Sequence, residues 1–248
     1  MFDNEKENEF YSDKKNWNFS DLNYTIEEIK NFNFYKTISE NTNLTSLCLD
    51  LGTGGGENML KYYPEVGYII ATDNSEEMLE TAKNNFKNYL NKKVKFILCD
   101  NHNLNFPNEM FDLISARHTS INYQLNYNIL VKGGALIIEG VDTKDCIEIK
   151  EIFNRGQDFN SKEILSKCEY ESLLNAGFQK VELIKDSFIE YYKSKNDLLT
   201  LLKKTPIIND FESDKEIEND LLEKYIKKFT CDKGIKLKRE YYGIIAIK

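Results

Sequence analysis

The chain has 248 residues, and its 41 Asp and Glu side chains outnumber its 33 Lys and Arg side chains, which gives a formal net charge of −8 at pH 7. A protein this acidic lacks the broad positive surface that nucleic acids require, so we do not expect a nucleic-acid partner. No apolar run approaches the roughly 20 residues of a membrane-spanning helix, and the first residues lack the basic and apolar regions of a signal peptide. We therefore expect a cytoplasmic protein without a membrane segment.

The cysteines and histidines are too scattered to indicate a metal site. Five cysteines occur without a C-x-x-C pair, and the chain has only two histidines. This spacing is typical neither of a zinc site nor of a disulfide framework. We predict no bound metal.

The N-terminal segment, residues 1–44, is polar but rich in aromatic side chains. Ile26, Ile29 and Phe32 recur at helical spacing, so one or two short helices are predicted. We expect this segment to form a helical cap, which either folds over a ligand or packs on the edge of a sheet.

From residue 45 onward, short apolar runs alternate with segments of helical periodicity. Such alternation is typical of a mostly parallel sheet whose connections are right-handed. Two amphipathic helices interrupt the pattern within residues 190–234, and we expect this insert to cover the functional site. The predicted strands are 47–51, 66–72, 94–98, 111–116, 135–139, 181–189 and 241–247.

The most informative stretch is Leu47–Glu57, in which five mostly apolar residues lead into a glycine-rich turn. An unbroken apolar run is typical of a strand buried on both faces of a parallel sheet. Glycines directly after it let the backbone turn sharply and approach a ligand closely. If a helix follows, its N-terminal amides point at that ligand. The stretch therefore predicts a nucleotide-type binding site.

The glycine spacing distinguishes between two kinds of nucleotide site. A dinucleotide-binding turn reads G-x-G-x-x-G, and its third glycine would fall at Glu57. The chain instead reads acid-x-G-x-G-x-G, with Asp50, Gly52, Gly54 and Gly56 at the fixed positions. This pattern resembles the first motif of the class I S-adenosylmethionine-dependent methyltransferases.

The resemblance continues along the chain. Acids stand at the ends of the second and third strands, as Asp73 and Asp100, although an acid at the first of these positions is shared with NAD enzymes. Residues 105–115 look like the family's approach to strand four. Residues 130–136 resemble its turn into strand five, with Gly133 in place of a proline, and residues 241–247 resemble its final strand.

The resemblance implies one α/β methyltransferase domain over residues 1–248. Its fold would be a Rossmann-like, seven-stranded and mostly parallel sheet with helices on both faces and an antiparallel last strand. Residues 45–189 and 235–248 would form this core. The implied cofactor is S-adenosyl-L-methionine, and the implied partner is a small-molecule methyl acceptor.

The resemblance also implies roles for individual residues around the cofactor. Asp50 would steady the glycine turn, Asp73 would bind the ribose hydroxyls, and Asp100 and Asn101 would lie beside the adenine. The complete set of predicted cofactor-binding residues is Asp50, Gly52, Thr53, Gly54, Gly56, Asp73, Asn74, Asp100 and Asn101.

Catalytic residues are expected after the fourth strand, where the family places groups that face the transferred methyl group. Arg117 and His118 occupy that position, and the second histidine, His102, follows strand three. His118 could accept the acceptor's proton, because its pKa lies near working pH. Arg117 could hold an anionic substrate or a neighbouring carboxylate. The structural alternative pairs Arg117 with Glu139 or Asp112 and packs His118 against the cofactor.

The acceptor remains open at this stage. The chain has no Asn/Asp-Pro-Pro-Tyr motif after strand four, and no Pro-Cys pair. Amide or base N-methylation and cytosine C5 methylation are therefore not indicated. Three alternatives stay open: an RNA or protein acceptor, a non-catalytic S-adenosylmethionine-binding protein, and an NAD-dependent oxidoreductase. The sequence does not predict the oligomeric state.

Overall fold

The computed structural model describes residues 22–27, 31–89, 91–212 and 215–248. Strands and helices alternate along most of this length. The strands are β1 (Tyr24–Glu27), β2 (Leu47–Leu51), β3 (Tyr68–Asp73), β4 (Val94–Leu98), β5 (Phe111–Arg117), β6 (Leu130–Val141), β7 (Lys180–Tyr192), β8 (Thr230–Cys231) and β9 (Gly234–Ile247). The helices are α1 (Phe34–Glu40), α2 (Glu57–Tyr62), α3 (Glu76–Phe86), α4 (Tyr123–Ile129), α5 (Ile147–Phe153), α6 (Leu165–Ala176), α7 (Lys195–Lys204) and α8 (Glu216–Phe229).

The strands form one mixed sheet in the order β1-β7-β9-β6-β5-β2-β3-β4, and the short β8 pairs with β9. Parallel pairing joins β4, β3, β2, β5 and β6, whereas β9 is antiparallel to both β6 and β7. The predicted α/β sheet with an antiparallel last strand is confirmed, and β1 and β8 are added to its seven strands. The parallel strands end at one edge, where α/β sheets of this kind bind ligands.

Helices cover both faces of the sheet, as predicted. On one face α1 and α2 bury Phe34, Ile38 and Leu60 against the central strands. On the other face α4 and α6 contribute Ile129 and Leu173 to a second core cluster. No helix in the described part of the chain is long and apolar enough to cross a membrane.

The N-terminal segment differs in part from the predicted helical cap. Residues 24–27 form β1, which pairs antiparallel with the end of β7, and Tyr24 stacks on Tyr192 with ring centroids 5.3 Å apart. Strand pairing therefore overrides the helical spacing that Ile26 suggested, because the edge of β7 supplies hydrogen-bond partners for this backbone. A helix does form at α1, where the Asn33 side chain caps the Lys36 amide at 3.0 Å. Residues 1–21 and 28–30 lie outside the described part.

Strands β7 and β9 are longer than predicted and extend beyond the carboxyl edge of β6. Their pairing runs from Lys180 opposite Ile247 to Tyr192 opposite Ile235. The helices α7 and α8 of the predicted insert pack against this extension and α5, burying Leu198, Leu222 and Ile149 in a third cluster. The insert therefore stands beside the sheet edge at which the parallel strands end.

Candidate active site

The glycine-rich turn after β2 has a backbone that only glycine adopts easily. Gly52, Gly54 and Gly56 have φ values of 64°, 57° and 72°, in the left-handed region. A Cβ on Gly52 would lie 2.7 Å from the Thr119 side chain, so the space is closed as well. The Thr53 amide donates to the Thr72 carbonyl at 2.9 Å, which ties the turn to β3.

Asp73, at the end of β3, holds the glycine turn in place. Its Oδ2 accepts a hydrogen bond from the Gly54 amide at 2.8 Å, and its Oδ1 accepts from the Ser75 amide at 3.0 Å. Burial raises the pKa of Asp73, and these backbone hydrogen bonds oppose the rise. A carboxylate has about four acceptor positions, so oxygen lone pairs remain for ribose hydroxyls. Asn74 is exposed beside it.

Asp50 is buried at the base of the turn and connects β2 to β5. Its Oδ1 accepts a hydrogen bond from the Ser115 hydroxyl at 2.7 Å, and the Tyr63 hydroxyl lies 3.1 Å from the same serine. Burial raises the pKa of Asp50 to about 6, although the Ser115 hydrogen bond favours the ionised form. The pKa of this carboxyl group therefore lies above the ordinary range of an aspartate, which is common at functional sites.

Thr53 carries a buried hydroxyl group without a well-formed hydrogen bond. Its Oγ1 has no partner at bonding distance among the residues that the structure describes, and the Asp50 carboxyl group is close enough to interact with it. An unpaired buried hydroxyl costs free energy, and native proteins rarely leave one unsatisfied. Together with the glycine cradle around it, this hydroxyl fits a polar ligand that lies against the turn.

The loops after β4 and β5 meet over the glycine turn. The Asn101 side-chain amide donates to the Thr119 hydroxyl at 3.0 Å, and His102 Nε2 lies 3.0 Å from the Ser120 hydroxyl. Asp100 caps its own loop, because its Oδ1 accepts from the His102 amide at 2.8 Å. The structure therefore brings Asn101 to the turn, through Thr119, and leaves Asp100 exposed at the rim.

Arg117 and His118 share one carboxylate, that of Glu139 on β6. Arg117 Nε donates to Glu139 Oε1 at 2.6 Å, and His118 Nε2 lies 3.5 Å from the same oxygen. Of the two carboxylates considered for Arg117, Glu139 is the partner, since Asp112 accepts a hydrogen bond from the Leu47 amide instead. His118 has a φ of 53°, which is uncommon outside glycine and often marks a functional site.

Tyr35 on α1 is a site residue that the sequence did not identify. Burial raises the pKa of its phenol, the Asp50 carboxylate adds to the rise, and the Arg117 guanidinium opposes it. Its ring centroid lies 5.6 Å from that of Tyr62 on α2. The sequence showed that the N-terminal segment is rich in aromatic residues, but only the fold shows that Tyr35 is close enough to Asp50 and Arg117 to interact with their charges.

Tyr241 on β9 is a second site residue that the sequence did not identify. Its ring meets the His118 ring edge-on, with centroids 5.3 Å apart. Its hydroxyl accepts a hydrogen bond from Arg239 Nη2 at 2.9 Å, and Arg239 is buried between Asp145 and Glu190. The extended ends of β7 and β9 thus position a tyrosine beside the predicted catalytic pair.

Comparison with known families agrees with this geometry. A family model described as "Methyltransferase domain" matches residues 48–131, which include the glycine turn, Asp73 and the Arg117–His118 pair. A curated relative, the uncharacterized methyltransferase YcgJ of Bacillus subtilis, is 31% identical over 75 residues. The aligned segment spans 30% of this chain and 30% of that relative.

Solved structures share the fold over most of the chain. YcgJ of Bacillus subtilis superposes with a TM-score of 0.61 at 16% identity, covering 86% of this chain and 96% of that one. A putative methyltransferase of Bacillus halodurans has a TM-score of 0.57 at 18% identity, covering 86% and 97%. Phosphoethanolamine N-methyltransferase 2 of Haemonchus contortus has a TM-score of 0.53 at 18% identity, covering 86% of this chain and 52% of that one. Residues 48–131 therefore match a methyltransferase domain, and the chain has the Rossmann-like fold of solved methyltransferases.

Proposed function

We propose that this protein transfers a methyl group from S-adenosylmethionine to a small-molecule acceptor. The observation that carries the proposal is the left-handed glycine turn with Asp73 bonded across it and the unpaired Thr53 hydroxyl inside it. The turn lies at the carboxyl edge of a methyltransferase fold, where ligands of such sheets bind.

The residues around the turn fit this cofactor. Asp73 has acceptor lone pairs for the ribose, Asn101 stands beside the turn for the adenine, and the Thr53 hydroxyl gains a polar partner. Asp50 is a buried carboxyl group that a nearby positive charge would ionise. The Haemonchus enzyme, which has the same fold, was solved in complex with S-adenosylhomocysteine.

The task of this chain in the reaction is alignment and exclusion of water. When bound, S-adenosylmethionine supplies an activated methyl group on its sulfonium, which an acceptor nucleophile takes by in-line displacement. The Tyr241 and His118 rings, with centroids 5.3 Å apart, lie next to Arg117 in the fold and would hold an acceptor in one orientation. His118 accepts the acceptor's proton where the nucleophile must be deprotonated.

The net charge of the chain also supports a small-molecule acceptor, and its free cysteines fit the cellular location that we propose. The net charge of −8 disfavours nucleic acid as a substrate. The helical insert would cover the site and limit its access to small molecules. All five cysteines are free, which fits the reducing cytoplasm that we propose for this protein.

Two experiments test the proposal. Calorimetric titration with S-adenosylmethionine should give saturable heat and titration with NAD should give none; the reverse result would contradict the family's cofactor. Methyl-labelled S-adenosylmethionine is then incubated with the protein and a fractionated cell extract. We expect label in the small-molecule fraction. Label in RNA or protein would refute the small-molecule acceptor, and binding without any transfer would indicate a non-catalytic binding protein.

A further inference from the structure

The side of Arg117 that faces away from Glu139 indicates the chemistry of the acceptor. We propose that the acceptor carries an oxyanion, a carboxylate or a phosphate, which the terminal nitrogens of Arg117 bind. This inference rests on the proposed function and narrows its substrate class.

The first step is the hydrogen bonding of the Arg117 guanidinium. Its Nε is bound to Glu139 Oε1 at 2.6 Å. Its Nη1 and Nη2 have no hydrogen-bond partner in the described part of the chain. The side chain keeps 35% of its surface exposed. Among the described residues, Glu139 therefore uses one edge of the guanidinium, and we place the ligand at its outer edge.

The second step is what surrounds that outer edge. Burial raises the pKa of both Tyr35 and Tyr241, and each is close enough to Arg117 to interact with its charge, so both phenols are neutral at pH 7. Two carboxyl groups near Arg117 already have partners, Glu139 with Arg117 itself and Asp50 with Ser115. The guanidinium therefore has neutral phenols and engaged carboxyl groups in its neighbourhood.

The third step is the ligand that such an arrangement prefers. A guanidinium edge with two N–H groups matches the two oxygens of a carboxylate or phosphate, and partial burial strengthens the charge-assisted pair. A neutral acceptor offers the guanidinium no negative charge and no pair of equivalent oxygens, so it gains less from these donors than an oxyanion does. A cationic acceptor would be repelled by Arg117. An acidic acceptor is the class that satisfies the site.

The experiment uses small aromatic probes that differ only in the group offered to Arg117. Benzoate, phenyl phosphate and the neutral benzamide are titrated into the 248-residue protein saturated with S-adenosylhomocysteine. The variants are Arg117→Gln, Arg117→Lys and Arg155→Gln. Arg155 is a matched control, because its side chain is 34% exposed and pairs with the buried Glu218 as Arg117 pairs with Glu139. Thermal unfolding establishes that each variant is folded.

We expect the wild type to bind benzoate or phenyl phosphate at least about tenfold more tightly than benzamide, as a charge-assisted hydrogen bond implies. Arg117→Gln should lose this preference and Arg155→Gln should keep it. Equal binding of all three probes, or a preference that survives Arg117→Gln, would overturn the inference. If Arg117→Gln does not fold, Arg117→Lys decides, since its single ammonium should weaken oxyanion binding while benzamide binding stays unchanged.

Failure of the proposed function is recognised separately, by the absence of S-adenosylhomocysteine binding to the wild type. The same probes are then titrated into the protein without that ligand. Oxyanion binding that depends on Arg117 would still support an oxyanion site, and binding that is independent of Arg117 would refute it.

Discussion

The carboxylate of Asp73 lies 2.8 Å from the amide nitrogen of Gly54 and accepts its hydrogen bond, so the end of β3 holds the turn that follows β2. Two neighbouring strands of the sheet thereby support one loop. A side chain that was expected to bind the cofactor directly also builds the cradle in which a cofactor would lie.

Asp73→Ala should therefore weaken S-adenosylmethionine binding strongly, by about tenfold or more, because it removes the charge-assisted hydrogen bond that holds the turn together with the ribose acceptor that we propose. Calorimetry measures the loss. Asp142→Ala is the control, since Asp142 is buried too and accepts backbone hydrogen bonds at Thr143 and Ser166, away from the turn. It should lower stability and leave cofactor affinity unchanged. Equal affinity losses in both variants would contradict a role for Asp73 at the cofactor.

Gly52→Ala should destabilise the protein and impair cofactor binding. The left-handed backbone costs an alanine roughly 1–2 kcal/mol, and the new Cβ would lie 2.7 Å from Thr119. Gly133→Ala separates the two effects, because Gly133 has a φ of 77° but no atom within 4 Å of the added Cβ. Urea unfolding should show a backbone cost in both variants and an additional cost at Gly52. If the two variants lose equal stability, the close contact with Thr119 has no energetic weight.

Asp50 should make stability depend on pH. Burial raises its pKa to about 6 from an ordinary value of 3.8. The folded state therefore holds a proton that the unfolded state releases, and stability falls as pH rises from about 4 to 6 and then levels off. Asp50→Asn removes this cost. Its stability relative to the wild type should improve between pH 4 and pH 7.5 by an amount on the order of 1–3 kcal/mol.

Chemical denaturation of both proteins at pH 4 and pH 7.5 measures this change, and the comparison cancels any constant cost of the amide. A difference between the two proteins that is the same at both pH values would show that Asp50 has an ordinary pKa in the folded state. If the proposed cofactor site is right, Asp50→Asn should bind S-adenosylmethionine less well than the wild type.

His118→Asn tests proton transfer without disturbing the backbone. Asparagine tolerates the left-handed conformation that His118 adopts, with φ at 53°. If His118 is the base, transfer of label to the small-molecule fraction should fall on the order of 10²-fold, the range for loss of a general base. Affinity for S-adenosylmethionine should stay unchanged. Turnover close to that of the wild type would exclude His118 as the base and leave it a packing role beside Tyr241.

Local chemistry explains which features the sequence predicted. The apolar run before Gly52 and the glycine spacing specify a strand, a turn and a bound nucleotide within ten residues, and they do so without distant contacts. The alternation of strands with helices predicts that most strands run parallel to one another. β1 could not be predicted in this way, because Tyr24–Glu27 is a strand only through its pairing with β7, which lies far along the chain.

Arg239 illustrates why the extended ends of β7 and β9, which position Tyr241, were not predicted from the sequence. Apolar Ile235 and Leu237 are buried on β9 and alternate with Lys236 and Lys238, so Arg239 occupies an inward position. A charged residue at that position interrupts the alternation of apolar residues, so the sequence predicted a strand only over residues 241–247. Its partners, Asp145 and Glu190, come from remote parts of the chain. Buried ion pairs of this kind leave no local sequence signal.

Arg239→Gln should consequently be among the most destabilising substitutions in the protein. The guanidinium is buried and pairs with Asp145 at 2.9 Å and with Glu190 at 2.9 Å, so its removal leaves two buried carboxylates without a counter-charge. Breaking a buried pair costs roughly 3–5 kcal/mol. Arg155→Gln, which disrupts a more exposed pair, should cost less. Urea unfolding compares them, and the triple variant Arg239→Gln, Asp145→Asn, Glu190→Gln should recover part of the loss, because no uncompensated charge then remains. If it recovers nothing, packing around Arg239 and not its charge holds the extension of β7 and β9 together.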